Sequence, residues 1–307
     1  MQYFTGTAEI EMKQPVAVTL GKFDGMHLGH QTLISKIMEK KEAGMIPTVF
    51  TFDMSPVAVV TGKKQQPMLL TNEERRKYLE KLGIGCLIEY PFTVEASHMP
   101  ADVFVREILV KRLKARYIAV GTDFHFGYQR SGDAALLEEM SSSCGYELDV
   151  VHKRRDEKSG RIISSTFIRE KLDEGNMEDV NALLGYPFAL HGKVVNGNHL
   201  GSRIGFPTAN LLPEAGKKLP PNGVYASCTK IDGNSYLSVT NIGRKPTIGE
   251  YPVGAETFIF EWTKELYGKE ITVELYHQLR EEKKFANVEE LKAQVERDKI
   301  KALEFLI

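Results

Sequence analysis

The sequence predicts an α/β domain with a parallel sheet, followed by a β domain that closes as an antiparallel barrel and ends in a helix. From Pro15 to about Lys153, short β-branched or aromatic runs alternate with longer segments of helical period, which is typical of βαβ units. After Gly185-Tyr186-Pro187, short strands follow one another, separated by glycine, proline and asparagine. A length of 307 residues suits two domains, each with its own core.

The first domain is predicted to alternate five strands with four helices. The strands are VAVTL, IPTVFTF, CLIEYPF, RYIAVG and ELDVVH. The helices are LGHQTLISKIMEKKEAG, closed by Gly44, then TNEERRKYLEKLG, ADVFVREILVKRLK and DAALLEEMSSSCG. Thr71 and Glu74 have the spacing of a capping box, and Pro100 suits the first turn of the third helix. In such doubly wound sheets ligands bind beyond the carboxyl ends of the strands, so the strand-to-helix loops should carry the chemistry.

The second half begins with two short helices in SSTFIREKLDEGNMEDVNALLG and then changes to strands. The predicted strands lie in HGKVVNG, FPTANLLP, GVYASCTKIDGNSYLSVTNIG, AETFIFEW and ITVELYHQL. Asp232-Gly233 indicates a tight hairpin. Asn287, with Glu290 three residues later, should cap the final helix.

Charge is balanced, with 40 lysine and arginine residues against 41 aspartate and glutamate residues. Binding to nucleic acid or an anionic membrane through a bulk positive field is therefore not expected, and the predicted partners are small-molecule substrates. The start, MQYFTGTAEIEMKQ, lacks a basic segment followed by an apolar one, and no apolar run is long enough to span a bilayer. We expect a cytoplasmic protein that is a monomer or a weak homo-oligomer.

Three cysteines, Cys86, Cys144 and Cys228, are far apart and have no CxxC or CxxH spacing. An odd number without such spacing argues against a disulfide framework and against a zinc site. We expect reduced thiols that are mostly buried.

The segment GKFDGMHLGH places a glycine-flanked loop after the first predicted strand and puts His27 and His30 at the opening of a helix. Residues three apart share one helical face, so both imidazoles can point to one ligand. Free N–H groups and the helix dipole favour a phosphate at this end. The chain has neither GxxxxGK[ST] nor GxGxxG, so a different phosphate chemistry is indicated.

GKFDGMHLGH resembles the HxGH signature of the Rossmann-like nucleotidyltransferases. With GTDFHFG and ISSTFIR, it is similar to the N-terminal domain of the bacterial bifunctional riboflavin kinase/FMN adenylyltransferases, or FAD synthetases. The resemblance implies that the FMN phosphate attacks the α-phosphorus of ATP while His27 and His30 donate hydrogen bonds to the phosphoryl oxygens. It also implies that Asp123 and Phe124 bind the flavin. The implied ATP and phosphate contacts are Gly21, Phe23, Asp24, Gly25, Gly29, Ser164, Ser165, Thr166 and Arg169.

A second motif lies in GKVVNGNHLGSRIGFPTANL. A glycine-rich loop before a strand can surround phosphates with backbone N–H groups, although an ordinary hairpin loop would explain the glycines equally well. In an extended segment Thr208 and Asn210 point to the same side, so a hydroxyl and an amide oxygen can bind one hard cation such as Mg²⁺.

This second stretch is similar to the PTAN motif of riboflavin kinases, and the likeness continues through GVYAS, NIGRKPT, AETFIF and the final helix. It implies a Greek-key barrel in which Thr208 and Asn210 hold the Mg²⁺ of ATP and Glu256 is the general base for the riboflavin 5′-hydroxyl. Arg280 and Phe285 would lie in a flap over the flavin. The implied phosphate contacts are Gly192, Lys193, Gly201, Ser202, Gly205 and Pro207.

We therefore predict FAD biosynthesis in two steps, with ATP as co-substrate, Mg²⁺ as cofactor, and riboflavin, FMN and FAD as substrates and products. Residues 1–184 would be the adenylyltransferase domain and residues 185–307 the kinase domain. Three alternatives remain at this point. The chain could retain only one activity, it could be a regulator that binds flavin or RNA, or it could transfer an adenylyl or cytidylyl group to another phosphate ester.

Overall fold

The computed structural model describes the chain except residues 55–58, 60, 61, 63, 198–200, 202–204, 245–252 and 307, and it describes residues 244 and 253 by their backbone only. Ser202, a predicted phosphate contact, is therefore outside the described residues. The chain divides into two compact units, Met1–Ser164 and Ser165–Ile307.

The first unit contains a six-stranded parallel sheet in the order β1-β4-β3-β2-β5-β8. Its strands, with a short antiparallel pair β6–β7 beside it, are β1 Gln2–Thr5, β2 Val16–Leu20, β3 Ile46–Phe52, β4 Cys86–Tyr90, β5 Ala115–Gly121, β6 His125–Phe126, β7 Gly132–Asp133 and β8 Glu147–Val151. All residues of β2 and β4 are buried, as expected for strands covered on both faces. The five predicted strands are confirmed, and β1 is an addition to them.

Helices connect these strands. They lie where they were predicted, but some of them have different lengths. They are α1 Leu28–Glu39, α2 Asn72–Lys81, α3 Val94–Ser97, α4 Ala101–Val103 and α5 Ala134–Cys144. Both hydrogen bonds of the capping box at Thr71 are present. The first helix ends at Glu39, earlier than Gly44, because Lys40 to Gly44 form successive tight turns.

The third predicted helix differs from the expectation. It starts as α4 behind Pro100, which is the N-cap residue, and continues as a π-helix over Phe104–Arg112. Phe104, Val105, Ile108 and Leu109 are buried against the sheet. The apolar pattern therefore located the buried face correctly, but it does not distinguish π from α hydrogen bonding.

The second unit begins with two helices, α6 Ser165–Asp173 and α7 Met177–Leu184, and continues as a closed antiparallel barrel. The order around the barrel is β10-β13-β12-β11-β14-β9. Its strands are β9 Ala189–Val195, β10 Thr208–Leu211, β11 Gly223–Ile231, β12 Asn234–Arg244, β13 Val253–Ile259 and β14 Glu270–Arg280. Because β14 returns to lie beside β11, the order β14-β11-β12-β13 is a Greek key, as predicted.

The turn between β11 and β12 confirms the predicted hairpin. Asp232 and Gly233 have φ values of 49° and 84°, the left-handed conformations that a two-residue hairpin requires. The final helix, α8 Val288–Leu306, begins after Asn287, whose side chain accepts from the N–H of Glu290 over 2.8 Å.

The two faces of the barrel wall differ in chemistry. One face of β11 and β12, with Val224, Ala226 and Val239, packs with Ala302 of α8. The alternate residues form a fully buried chain of hydroxyls joined by hydrogen bonds of 2.8–2.9 Å. Its members are Ser227, Thr229, Ser238, Thr240 and Thr257. Side chains alternate along a strand, so Glu256 lies on the opposite face of β13 from Thr257, the outer face that also carries Phe258.

Candidate active sites

The loop between β2 and α1 holds the predicted histidine pair at the carboxyl edge of the parallel sheet. His27 is the N-cap of α1, and its Nδ1 accepts a hydrogen bond of 3.4 Å from the backbone N–H of His30. The two rings stack with centroids 3.7 Å apart and an angle of 17° between their planes. The structure thus brings together the two side chains that the three-residue spacing predicted.

Burial keeps both imidazoles neutral. Desolvation lowers the pKa of His27 to about 4, although the charge of Asp24 opposes this shift. Desolvation also lowers the pKa of His30 well below its usual value, and His27 contributes in the same direction. Because Nδ1 of His27 is an acceptor, its proton is on Nε2, which makes Nε2–H a donor for an anion.

One ring nitrogen of His30 forms no hydrogen bond with the residues that the structure describes. This atom, Nδ1, is buried. Buried polar atoms in folded proteins nearly always have a partner, so a ligand is a natural explanation for this one.

The loop that precedes the histidines has an unusual backbone. Phe23 and Met26, with φ values of 48° and 42°, are in the left-handed region although neither is glycine, and Gly25 has φ 85°. Phe23 is buried, and its ring centroid is 5.1 Å from that of His30. Left-handed non-glycine residues are sparsely populated and cluster at functional sites.

Two glycines of the motif allow close packing around the histidines. A Cβ on Gly29 would come within 3.3 Å of the His27 ring and 3.8 Å of the carbonyl oxygen of Ile163. A Cβ on Gly21 would come within 3.3 Å of the Phe23 ring. The start of ISSTFIR, at Ile163 and Ser164, is therefore next to the histidine loop.

The structure places the remaining predicted contacts of the adenylyltransferase motifs in three locations. Asp24 uses Oδ1 to accept from the backbone N–H of Leu69 over 2.8 Å, so it anchors the loop to the segment before α2. Asp123 and Phe124 follow β5 at the same sheet edge, where Asp123 forms an ion pair with Lys153. Ser165, Thr166 and Arg169 belong to α6 of the second unit.

Aromatic side chains gather at the same edge, and of these only Phe124 was predicted from the sequence. Phe52, the last residue of β3, and Phe92, which follows β4, meet edge to face with centroids 4.7 Å apart. Phe124 stacks on Phe126 at 5.4 Å. The carboxyl ends of parallel strands meet at one edge of the sheet, and this brings the two aromatic pairs to the same edge.

The second site is on the outer face of the barrel. Thr208 donates from Oγ1 to Oε1 of Glu256 over 2.8 Å. Asn210 is the direct pairing partner of Glu256 in β10–β13, and Asn241 is its partner in β12–β13. Asn241, which the sequence analysis did not select, thus joins the three predicted residues through strand register.

The glycines before PTAN lie against its polar side chains. A Cβ on Gly197 would come within 2.2 Å of the amide nitrogen of Asn210, and one on Gly201 within 3.1 Å of Oγ1 of Thr208. These contacts require glycine at both positions, and they bring the loop over the hydroxyl and the amide.

The other predicted contacts of this domain lie in β9 and in the segment before β10. A cavity of about 230 Å³ opens beside Pro207 and Thr208. Gly205 has φ 89°, and Gly192 and Lys193 lie in β9, where a Cβ on Gly192 would come within 2.3 Å of a backbone oxygen.

Comparisons with known proteins identify a family for each half of the chain. The FAD synthetase family matches residues 9–167, and the riboflavin kinase family matches residues 184–306. The bifunctional riboflavin kinase/FMN adenylyltransferase of Escherichia coli strain K12 is 36% identical over 290 residues, which cover 94% of this chain and 92% of that protein. The protein of the same name from Listeria monocytogenes is 34% identical over 92% of this chain and 89% of its own.

This chain belongs to the bifunctional riboflavin kinase/FMN adenylyltransferase family. It contains both the FAD synthetase and the riboflavin kinase domain, so it is a transferase of FAD biosynthesis that uses ATP and flavin substrates. The predictions of fold class, family and activity are thereby confirmed.

A solved structure from Streptococcus pneumoniae has the same fold. It aligns with a TM-score of 0.85 and 29% identity over 95% of this chain and 94% of that one, and it is described as a macrolide-efflux protein. That description concerns the streptococcal protein. Within the described ranges of this chain, no helix is both long and apolar enough to cross a membrane.

In this family member, Arg280 and Phe285 are close to each other, and Arg280 is bonded to α8. The Arg280 guanidinium donates to both carboxylate oxygens of Asp298 over 2.8–3.1 Å and lies 5.7 Å from the Phe285 ring centroid. Asp298 is only 2% exposed and also accepts from Gln294 over 2.7 Å. The end of β14 is thus attached to α8 by an ion pair whose carboxylate is buried and whose guanidinium is partly buried.

Proposed function

We propose that residues 185–307 phosphorylate riboflavin with Glu256 as general base, and that residues 1–184 adenylylate the resulting FMN at the pair His27 and His30. The observation that carries the first assignment is the hydrogen bond from Thr208 to Glu256 beside Asn210. The stacked, neutral histidines at the start of α1 support the second.

In the kinase step, the riboflavin 5′-hydroxyl oxygen attacks the γ-phosphorus of ATP, the bond to the β,γ-bridging oxygen breaks, and ADP leaves. Glu256 accepts the hydroxyl proton. Phosphoryl transfer depends more on orientation than on base strength, so a carboxylate fixed by Thr208 is sufficient. The outward position of Glu256 on the barrel wall lets a substrate reach it.

The oxygen donors at this site suit Mg²⁺. Magnesium prefers carboxylate, carbonyl and hydroxyl oxygens and usually keeps waters and substrate phosphates as its other ligands. Thr208 and Asn210 would hold it, and it would neutralise charge on the phosphates. Within the described ranges, no group of three or more histidine, cysteine or acidic side chains forms a metal site.

In the adenylyl step, a phosphate oxygen of FMN attacks the α-phosphorus of ATP, and the bond to the α,β-bridging oxygen breaks to release pyrophosphate. Negative charge grows on the α-phosphoryl oxygens. Nε2–H of His27 and an N–H of His30 would donate to these oxygens, and the N-terminus of α1 would add positive potential. The histidines stabilise charge and need not exchange a proton.

Binding of the substrates completes the proposal. Asp123, Phe124 and the aromatic rings at this edge would hold the flavin, and Arg280 and Phe285 would cover it in the kinase site. Phosphate contacts would come from the two glycine-containing loops and from Ser164, Ser165, Thr166 and Arg169. We place the protein in the cytoplasm as a monomer or weak homo-oligomer without a nucleic-acid partner, which the balanced charge and three free thiols support.

Incubation with riboflavin and Mg-ATP, followed by chromatographic separation of the flavins, tests the assignment. We expect FMN to appear first and FAD to follow, with both products absent when EDTA removes Mg²⁺. FMN without FAD would leave only the kinase. Calorimetric titration with a non-hydrolysable ATP analogue should give two nucleotides per chain, and a single one would contradict two separate sites.

A further inference from the structure

A buried ion pair lies directly behind the histidine loop. Arg75 of α2 and Glu89 of β4 are only 3% and 2% exposed, and Nη2 of Arg75 donates to Oε1 of Glu89. The same Nη2 donates to Asn72 over 3.1 Å. Tyr3 of β1 donates its hydroxyl to the other Glu89 oxygen. The carboxylate therefore has a donor on each oxygen and a fixed orientation.

The other branch of the guanidinium reaches the loop. Nη1 of Arg75 donates to the backbone carbonyl of Lys22 over 3.4 Å, and the hydroxyl of Thr51 donates to the same oxygen over 3.3 Å. Thr51 and Glu89 are pairing partners in β3–β4. Two neighbouring strands thus hold the Lys22 carbonyl. Thr51 of β3 bonds to it directly, and Glu89 of β4 acts on it through Arg75.

That carbonyl immediately precedes the left-handed Phe23, whose ring packs on His30. A residue in this region of backbone space keeps its conformation only where the surroundings fix it. On one side the Lys22 carbonyl is held, and on the other Asp24 is bonded to the N–H of Leu69. The conformation of Phe23, and with it the place of the His30 ring, is therefore set by contacts outside the loop.

We infer that Arg75, Glu89 and Thr51 are positioning residues for adenylyl transfer, which act by fixing the Lys22 carbonyl and hence Phe23 and His30. This inference rests on the proposed role of the histidine pair in that reaction. Displacement of a catalytic group by about 1 Å can lower a rate by about 100-fold. A loosened loop should therefore lower the rate of adenylyl transfer even if every side chain that contacts the substrate is retained.

A purely structural role makes a different prediction. A buried ion pair is often replaceable by apolar side chains of similar volume without loss of stability, whereas removal of one partner leaves an unpaired charge. The variant Arg75→Met, Glu89→Leu, Tyr3→Phe removes the whole group at once. If the pair serves stability alone, this triple variant should remain active whenever it remains folded.

The test measures kcat and the KM for ATP in FMN adenylylation, with the riboflavin kinase rate of the same chain as internal control. In the triple variant, we expect kcat to fall about 10- to 100-fold, the KM to change less than about threefold, and the kinase rate to be unchanged. Thr51→Val should lower kcat in the same manner. Its matched control is Thr48→Val, because Thr48 is equally buried on β3 but bonds to Ile46.

Adenylylation kcat within about twofold of the parent in both the triple variant and Thr51→Val would overturn the inference. If the triple variant does not fold, Thr51→Val against Thr48→Val decides, since both changes are small. The two proposals fail differently. An active His30→Ala variant would refute the role of the histidines. An inactive His30→Ala, with a triple variant and a Thr51→Val variant that are both fully active, would refute only the positioning role.

Discussion

Thr208 and Glu256 are joined by a 2.8 Å hydrogen bond across strands β10 and β13. The bond orients the carboxylate within the protein itself, before any substrate is present. Because Glu256 and the histidine pair belong to different compact units, changes at one site should leave the reaction at the other intact.

Replacement of Glu256 by glutamine should lower the riboflavin kinase rate by about 10²- to 10⁴-fold, because the amide cannot accept the hydroxyl proton. FMN adenylylation should persist. Both rates can be followed by chromatography of the flavins. Glu261→Gln, at an exposed carboxylate just beyond β13, is the matched control and should change neither rate. An equal loss of both reactions would contradict the role of Glu256.

His30→Ala should chiefly reduce FAD formation from FMN, by about 10²- to 10³-fold, since it removes a donor to the charge that develops on the α-phosphoryl oxygens. The kinase rate should stay within error. His152→Ala, at an exposed histidine of the same unit, serves as control. An unchanged adenylylation rate in His30→Ala would refute the assignment.

Stability of the first unit should depend on pH through His27. Its pKa is about 4 in the folded protein, below the usual 6.5, so the unfolded state binds more protons between these values. Stability is then fully present above about pH 6.5 and decreases as the pH falls toward 4, by on the order of 3 kcal/mol in total. Urea unfolding at pH 4.5 and 7 should show this loss, and His27→Gln should reduce it. An NMR titration that gives His27 an ordinary pKa would exclude the effect.

Gly197→Ala should weaken the kinase without affecting adenylylation. The added Cβ would meet the Asn210 amide at 2.2 Å and displace an oxygen that we assign to Mg²⁺. We expect the KM for Mg-ATP in riboflavin phosphorylation to rise about tenfold or more, since the ligand geometry of Mg²⁺ is strict. Kinetics over a range of Mg²⁺ concentrations measure it, and an unaltered KM would mean that Asn210 is not a ligand.

Asp298→Ala should destabilise the barrel by about 3 kcal/mol, because it leaves the partly buried Arg280 without its carboxylate. Urea unfolding of the second unit measures the change. Asp232→Asn is a suitable comparison, since its ion pair with Lys269 is largely exposed and should contribute less than about 1 kcal/mol. Equal effects of the two changes would show that the Arg280 pair is not a buried anchor.

Local patterns in the sequence predicted much of the fold because they specify short-range structure. The capping box at Thr71 and the Asp232-Gly233 hairpin depend on residues a few positions apart, and both occur as expected. Strand β1 was missed because Gln2–Thr5 has only four residues, none of them fully buried. Its place depends on pairing with β4, which lies more than 80 residues away.

The site residues were also predictable where they are close in sequence and not where they are distant. His27 and His30 are neighbours in one helical turn, and Thr208 and Asn210 are neighbours on one strand face, so spacing alone predicted that the members of each pair lie together. Arg75 and Glu89 lie on separate elements, and Asn241 reaches Glu256 only through strand register. No sequence pattern predicts such pairings, since they depend on how distant elements pack.

The two units also differ in whether their sheets have edge strands. Every barrel strand among the described residues has a hydrogen-bonded neighbour on each side, so there is no open ladder to which a foreign strand could add. The parallel sheet stops at β1 and β8 and presents backbone groups at both margins. Under mild heating or at high concentration, strand exchange and aggregation should therefore start in the first unit. The chain should then lose FAD formation before it loses FMN formation.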